Sequence, residues 1–105
     1  MATKMIVLYP QPADPAEFDR VYEAEHIPLC KESYPTMSGM VANKVTGSPM
    51  GTPPFYMIVE IEWPSNEALQ EAMGTKANRN VGRHAMQIST GGPIVVLLAE
   101  SQTVE

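Results

Sequence analysis

The chain contains little cysteine and little positive charge. Cys30 is the single cysteine in 105 residues, so neither an internal disulfide nor a cysteine-based zinc site can form. Seven lysines and arginines stand against twelve aspartates and glutamates, which gives a net charge of −5. Nucleic acids and anionic membranes are bound by clustered basic side chains that meet the phosphates. The sequence shows no such cluster, and we expect neither partner.

Long apolar runs and metal-binding spacings are also missing. No segment approaches the length of a membrane span, and the first ten residues lack the apolar core of a signal peptide. A free thiol and eight methionines suit a reducing cytosol, so we predict a cytoplasmic location. His26 and His84 have neither HxxxH nor HxH spacing, which predicts no dedicated metal site. The length predicts one domain over residues 1–105.

Four segments have the composition of β-strands. In the clearest of them, Val59 and Trp63 share one face with the other odd-numbered residues, while Ile58 and Glu60 share the opposite face. The segments near the two chain ends are short and apolar, and one segment matches more weakly. The predicted strands cover 4–9, 37–47, 55–63 and 93–100.

Capping residues mark the starts of three helices. Asp14 precedes Pro15, which has no N–H to leave unsatisfied, and Glu17 completes a pattern like a capping box. Ser65 and Thr75 can cap two further helices, and a pair of glycines ends the last one. The predicted helices run from 15 to about 26, from 66 to 73 and from 76 to 89.

The order β-α-β-β-α-β, with both helical regions interrupted, predicts an α+β fold of the ferredoxin-like type. Its four-stranded antiparallel sheet carries helices on one face only. Tyr56 and Ile58 place apolar groups on the opposite face, and both terminal strands are apolar throughout. An apolar sheet face needs a second layer. We therefore predict a homodimer that packs sheet against sheet.

Pro28 interrupts the first helix two residues after His26. It has no N–H to donate to the carbonyl of Ala24, and its ring crowds that carbonyl. The residue before a proline, here Ile27, is disfavoured in the α region. We predict that the helix ends or bends near His26 and that Pro28 opens a new turn through Tyr34. A histidine at a helix C-terminus beside two glutamates is expected to favour its protonated form.

Two interpretations of His26 remain open. In the structural one, the imidazole caps the break in the helix and bonds a backbone group. In the functional one, the bend exposes the imidazole at the mouth of a pocket, with Tyr22 one helical turn earlier on the same side. A histidine and a tyrosine beside an apolar cavity can polarise a phenol or a carbonyl, or move a proton.

The segment MIVLYPQPADPAEFDRVYEAEHIPL resembles the EthD-type members of the dimeric α+β barrel superfamily. The matching features are a first strand that ends in Tyr-Pro, a Pro/Asp turn and the pattern F-x-x-x-Y-x-x-x-H-x-P-L. That pattern is formed by Phe18, Tyr22, His26, Pro28 and Leu29. The resemblance is firm over the first third of the chain and continues by strand type to its end.

The resemblance implies a ferredoxin-like monomer, paired into a dimer whose sheets form a barrel with one pocket per subunit. EthD is named for gene clusters that degrade ethyl tert-butyl ether, where it accompanies an oxygenase, so a partner oxygenase is one expectation. Relatives in the superfamily include cofactor-free monooxygenases, polyketide cyclases, muconolactone isomerases and haem-degrading enzymes. Because one fold supports many reactions, the resemblance leaves the chemistry open.

From the residues and the resemblance together we predict a protein that binds a small apolar molecule. It would be an enzyme or an oxygenase accessory that oxidises, cyclises or isomerises without a dedicated cofactor, with His26 as acid or base and Tyr22 orienting it. The alternative is a carrier that binds the same ligand without turnover. The predicted substrate-binding residues are Tyr9, Phe18, Leu29, Tyr56, Ile58 and Glu60.

Three further side chains have both a structural and a functional interpretation. Glu60 is an exposed strand charge or, if its face lines a dimer cavity, a carboxylate with a raised pKa. His84 is a polar surface residue or a second base, and haem ligation through it is the alternative to a cofactor-free site. Cys30 is expected to be a small buried residue, because Pro28 breaks the helical geometry that would pair it with His26.

Overall fold

The computed structural model describes residues 2–105 and has the predicted order of strands and helices. A π-helical turn, Tyr22–His26, joins the first two α-helices, and we refer to it as the π turn. The strands are β1 (Ala2–Pro10), β2 (Gly39–Lys44), β3 (Phe55–Trp63) and β4 (Val95–Ser101). The α-helices are α1 (Pro15–Val21), α2 (Ile27–Ser33), α3 (Asn66–Met73) and α4 (Lys76–Ile88). The ferredoxin-like prediction is confirmed.

The strands form one antiparallel sheet in the order β2-β3-β1-β4. Met5 of β1 pairs with Ile61 of β3 on one side and with Leu98 of β4 on the other. Burial alternates along β1 and β3 because successive side chains point to opposite faces. The helices cover the face that carries Met5 and Trp63. The opposite face, which carries Ile58, has no second layer within the part of the chain that the structure describes.

Side-chain caps begin three helices, as the sequence predicts. Asp14 accepts a hydrogen bond from the N–H of Glu17 at 3.2 Å, and Ser65 and Thr75 cap α3 and α4 in the same way. The carboxylate of Glu17 does not return to Asp14 as a capping box requires. It instead accepts from Nε of Arg20 at 3.0 Å, so the box is only half formed.

The chain stays helical through Pro28, so the helix does not end near His26. A π turn interrupts the α-helix there instead, and α2 then continues to Ser33 with Tyr34 as its C-cap. Ile27 has φ −59° and ψ −49°, inside the α region that we expected it to leave. Its N–H bonds the carbonyl of Tyr22, five residues earlier, as in a π turn. The wider turn shifts the hydrogen-bond register by one residue and makes room for the proline ring, so no break is needed.

Trp63 is the centre of the core at the end of β3. Its side chain has no exposed area, and its Nε1–H donates to Oγ1 of Thr36 at 3.2 Å. The ring of Tyr34 packs edge-on against the indole at 5.3 Å between ring centres, a favourable aromatic geometry. The core therefore joins β3 to the segment that follows α2.

Gly91 holds the start of the last strand close to the first turn of the chain. A Cβ at this position would lie 1.7 Å from the carbonyl oxygen of Gln11, so no other residue fits without a backbone shift. Gly92 follows with φ +145°, which L side chains rarely adopt. The glycine pair thus ends the α4 region as predicted. Over residues 2–105, no helix has the length and apolar character needed to cross a membrane.

Candidate functional site

The π turn places His26 in the interior of the protein. Its side chain is 4 % exposed, and the imidazole bridges two elements that are distant in sequence. Nε2 lies 3.3 Å from the hydroxyl oxygen of Tyr9 on β1, and Nδ1 lies 2.8 Å from Nδ1 of His84 on α4. Turns of the π type occur frequently at functional sites, and this one gives His26 two polar partners.

Tyr9 lies near the end of β1 with 1 % of its area exposed. The rings of Phe18 and Tyr22 surround it edge-on, at 5.1 and 5.9 Å between ring centres. Burial is the main cause that raises the pKa of Tyr9 well above its ordinary value, with Tyr22 adding to the effect. The Tyr9 hydroxyl therefore remains protonated and can donate to His26.

The two histidine rings lie face to face, 5.1 Å apart between centres and 11° from parallel. At an Nδ1–Nδ1 distance of 2.8 Å, one ring donates a proton and the other accepts it. The side chain of His84 is 20 % exposed, and its Nε2 lies 3.9 Å from a carboxylate oxygen of Glu25. His84 thus connects the buried imidazole to the protein surface.

His26 is neutral at neutral pH. Burial, with a smaller contribution from the adjacent His84, lowers its pKa to about 4. The expectation that Glu23 and Glu25 favour a protonated imidazole is wrong. His26 lies inside a continuous helix and not at its C-terminus, and both glutamates are exposed, so desolvation prevails.

A cavity of about 150 Å³ lies between the helices and the sheet, and Tyr9 and His26 form part of its wall. At the far end, the hydroxyl of Tyr34 donates to Oδ1 of Asn78. The remaining wall is mostly apolar and includes Met5, Val7, Val59, Ile61, Val81 and Ile94. The arrangement suits a small apolar ligand that carries one polar group.

The EthD domain model matches residues 10–87 of the chain. The chain belongs to the EthD family. A crystal structure of an ethyl tert-butyl ether D (EthD) family protein from Bacillus halodurans C-125 is 34% identical in sequence. It aligns with a TM-score of 0.88 over 97% of this chain and 100% of that one. The EthD resemblance that the first helix predicts is therefore confirmed.

Two more distant structures share the fold of this EthD protein. A dimeric ferredoxin-like protein of unknown function from Jannaschia sp. CCS1 is 13% identical, with a TM-score of 0.71 over 96% of this chain and 100% of that one. SnoaB from Streptomyces nogalater, a cofactor-independent oxygenase, is 12% identical. It aligns with a TM-score of 0.67 over 98% of this chain and 95% of that one. At these identities the likeness concerns the ferredoxin-like fold alone.

Tyr22 lies beside His26 in this EthD protein but does not bond it. The rings are 5.5 Å apart between centres, which agrees with the predicted one-turn spacing. The Tyr22 hydroxyl is fully buried and has no hydrogen-bond partner among residues 2–105, and it does not line the cavity. Tyr9 supplies the hydroxyl that we expected from Tyr22.

Three of the predicted ligand-binding residues lie near the site but outside the cavity wall. Phe18 stacks on Tyr22 at 5.8 Å and supports the aromatic cluster around Tyr9. Tyr56 packs edge-on against Phe18 and donates to the carboxylate of Asp19 at 2.9 Å. Leu29 is half-buried against the core. Phe18 therefore supports the site through its contacts with Tyr9 and Tyr22, and Tyr56 does so only through Phe18.

Ile58 and Glu60 lie on the uncovered face of the sheet, away from the cavity. Nζ of Lys4 lies 3.1 Å from the Glu60 carboxylate, and Asn43 donates to its other oxygen at 3.1 Å. These bonds, that of Lys4 first, lower the pKa of Glu60. In the single chain the pKa of Glu60 is thus lowered and not raised, because the partners stabilise the charged form.

The sequence predicted the environment of Cys30 but left two interpretations open for His84. Cys30 is 1 % exposed in the cavity wall, and burial raises the pKa of its thiol to about 11, which agrees with an inert buried residue. His84 falls between Val81 and Ala85 on the inner side of α4. That spacing is the one signal in the sequence for its contact with His26, and it leaves both the surface and the site interpretation open.

The site does not fit haem. His84 is not part of the cavity wall, and a cavity of about 150 Å³ is far smaller than a porphyrin. Within residues 2–105, no group of three or more histidine, cysteine, aspartate or glutamate side chains is arranged to hold a metal ion.

Proposed function

We propose that this EthD protein binds a single-ring phenol or carbonyl compound in the cavity and exchanges a proton with it through Tyr9 and His26, without a resident cofactor. The observation that carries the proposal is a buried neutral imidazole that bonds a tyrosine hydroxyl in the wall of an apolar cavity. A neutral imidazole has a lone pair to accept a proton and an N–H to donate one. SnoaB offers a precedent on this fold, since it is described as a cofactor-independent oxygenase.

The size of the cavity supports a single-ring ligand. An apolar cavity of about 150 Å³ stays dry and binds benzene, and the cavity here has a similar volume. Trp63 pairs with Thr3 at the start of β1, whereas Tyr9 lies near the end of that strand. The Tyr34 ring packs against Trp63, so Tyr34 marks the end of the cavity opposite to His26. A ligand oxygen at the His26 end would leave its ring among the apolar side chains.

Phenol and toluene, which have nearly the same shape, test this proposal. We expect phenol to bind about fivefold more weakly to a His26→Gln variant than to the wild type, because one net hydrogen bond contributes about 1 kcal/mol. Toluene binding should change little. Chemical-shift titration of the labelled protein measures both affinities.

Tyr34→Phe is the matched control, since it removes a hydroxyl from the opposite end of the cavity and should preserve the preference for phenol. Equal phenol affinity in the wild type and His26→Gln would show that the cavity binds by shape alone. That outcome would favour the carrier alternative and remove the acid-base role.

We further propose that a second copy of this chain covers the open face of the sheet. Val95 and Leu97 of β4, which pair with Leu8 and Ile6 on that face, are 37% and 51% exposed. Val41 on β2 is 55% exposed. The Jannaschia structure is described as dimeric and shares the fold, which supports a dimer.

Leu97→Lys tests the dimer. Leu97 pairs with Ile6 on the uncovered face, and the substitution would bury two unpaired charges in a symmetric contact. We expect association to weaken on the order of a hundredfold, measured by sedimentation at several protein concentrations. Met86→Lys is the control, because Met86 is 63% exposed on α4, away from the sheet. A wild-type protein that sediments as a monomer would refute the pairing.

A further inference from the structure

Four side chains form a continuous series from the cavity to the surface. Tyr9 and His26 are 3.3 Å apart, His26 and His84 are 2.8 Å apart, and Nε2 of His84 lies 3.9 Å from Glu25. Exposure increases along the series, from 1 % for Tyr9 and 4 % for His26 to 20 % and 57 % for the side chains of His84 and Glu25. Each histidine uses both ring nitrogens, one toward the inside and one toward the outside.

We propose that this series is a proton relay, in which His84 passes the proton between His26 and solvent and Glu25 holds the outer end. The proposal rests on the proposed function, because a site that exchanges protons with a buried ligand must also exchange them with water. His84 touches no ligand in this arrangement and acts only through His26. A solitary buried imidazole would have to become charged in order to accept a proton, whereas a linked pair need not charge the inner ring.

The transfer balances without a charge on His26. A ligand O–H gives its proton to the Tyr9 oxygen while Tyr9 gives its own proton to Nε2 of His26. His26 then gives its Nδ1 proton to Nδ1 of His84. His26 ends neutral, with its proton on Nε2, and His84 becomes the imidazolium, whose Nε2–H faces the Glu25 carboxylate. Loss of that proton to water leaves His84 neutral with its remaining proton on Nδ1. The reverse sequence, which begins with uptake of a proton at Nε2 of His84, returns a proton to the ligand and restores both tautomers.

The ionisable groups around the two histidines are consistent with transfer of the proton outward, from His26 to His84. Burial raises the pKa of Tyr9 and Tyr22 on one side and that of Cys30 on α2, so all three remain neutral near His26. Arg83, the neighbour of His84 on α4, is exposed and contacts Asn80 at 3.5 Å. Glu25 is the nearby anion, and its carboxylate lies at the outer end, 3.9 Å from Nε2 of His84.

Exchange of the buried protons with water tests the relay without any ligand. The Tyr9 hydroxyl and the His26 ring N–H are the protons to follow, by magnetisation transfer from water in NMR spectra at neutral pH. We expect His84→Phe, which keeps an aromatic ring and removes both nitrogens, to slow their exchange about tenfold or more. Glu25→Gln should slow it by a smaller factor, and Glu23→Gln, an exposed neighbour in the same π turn, should leave it unchanged.

A role for His84 in packing alone would not produce this pattern, since Glu25→Gln alters no buried contact. Exchange that is unchanged or faster in a folded His84→Phe variant would overturn the relay. Nitrogen spectra provide a second measurement on the wild type, because a shared proton requires one Nδ1–H and one bare Nδ1 in the pair. Two rings that both carry their proton on Nε2 only would also overturn it. Failure of phenol to bind would count against the proposed function and would leave these measurements intact.

Discussion

Replacing Trp63 with alanine is expected to lower the free energy of unfolding by about 3–5 kcal/mol. The indole has no exposed area, packs against Tyr34 and fills the space between β3 and the helices. Its removal loses the transfer free energy of a large apolar group and leaves a cavity that the rigid sheet cannot close. The loss is a large part of the roughly 5–15 kcal/mol that typically stabilises a domain of this kind.

Urea denaturation at fixed protein concentration measures this loss. Thr36→Val is the control for the indole hydrogen bond, and it should cost about 1–3 kcal/mol, because it leaves the buried indole N–H without its acceptor. The loss of unfolding free energy in Trp63→Phe should lie between those of Thr36→Val and Trp63→Ala. A Trp63→Ala variant that loses less unfolding free energy than Thr36→Val would show that the core does not depend on the indole.

Acidification is expected to destabilise the protein specifically through His26. Its pKa is about 4 in the folded chain, against an ordinary value of 6.5 in the unfolded one, so the unfolded state takes up the proton first as the pH falls. The stability that depends on a neutral His26 is fully present above pH 6.5. It is lost as the pH falls from 6.5 to 4, and the difference between the two values corresponds to about 3 kcal/mol.

Comparison with His26→Gln isolates this contribution, because glutamine is polar but does not titrate. Carboxylates such as Glu60, whose pKa is lowered by Lys4 and Asn43, also lose stability in acid, but they do so in both proteins. We expect the wild type to lose about 3 kcal/mol more than His26→Gln between about pH 7 and pH 4. Parallel stability curves for the two proteins would mean that His26 titrates normally and is not buried as described.

Local signals in the sequence predicted most of the fold. The alternation over 55–63 was enough for β3, because a strand with one buried face must repeat every two residues. Asp14, Ser65 and Thr75 marked helix starts because a free N–H needs an acceptor wherever a helix begins. The pattern from Phe18 to Leu29 identified the family, and the same pattern contained His26.

The course of the chain through Pro28 did not follow from local rules. A proline inside a helix predicts a break when only its clash with the carbonyl four residues earlier is considered. Here packing prevails, because a π turn keeps the helix continuous and lets His26 contact both Tyr9 and His84. The π turn also explains why the pKa of His26 is lowered and not raised. The imidazole lies inside a continuous helix and is buried, so desolvation outweighs any effect of the helix end or of the exposed glutamates.

The helices and strands, their order, the family and one of the two histidines of the site could be predicted from the sequence. These features depend on neighbours within a few residues along the chain, where periodicity and capping act. Three features of the site became visible only in the tertiary contacts: His84 bonds His26, Tyr9 and not Tyr22 supplies the hydroxyl, and Glu60 pairs with Lys4 on the far face of the sheet. The two histidines are 58 positions apart, and their contact exists because α4 packs against the π turn. Local spacing in the sequence does not predict a contact between two elements that meet only in the folded core.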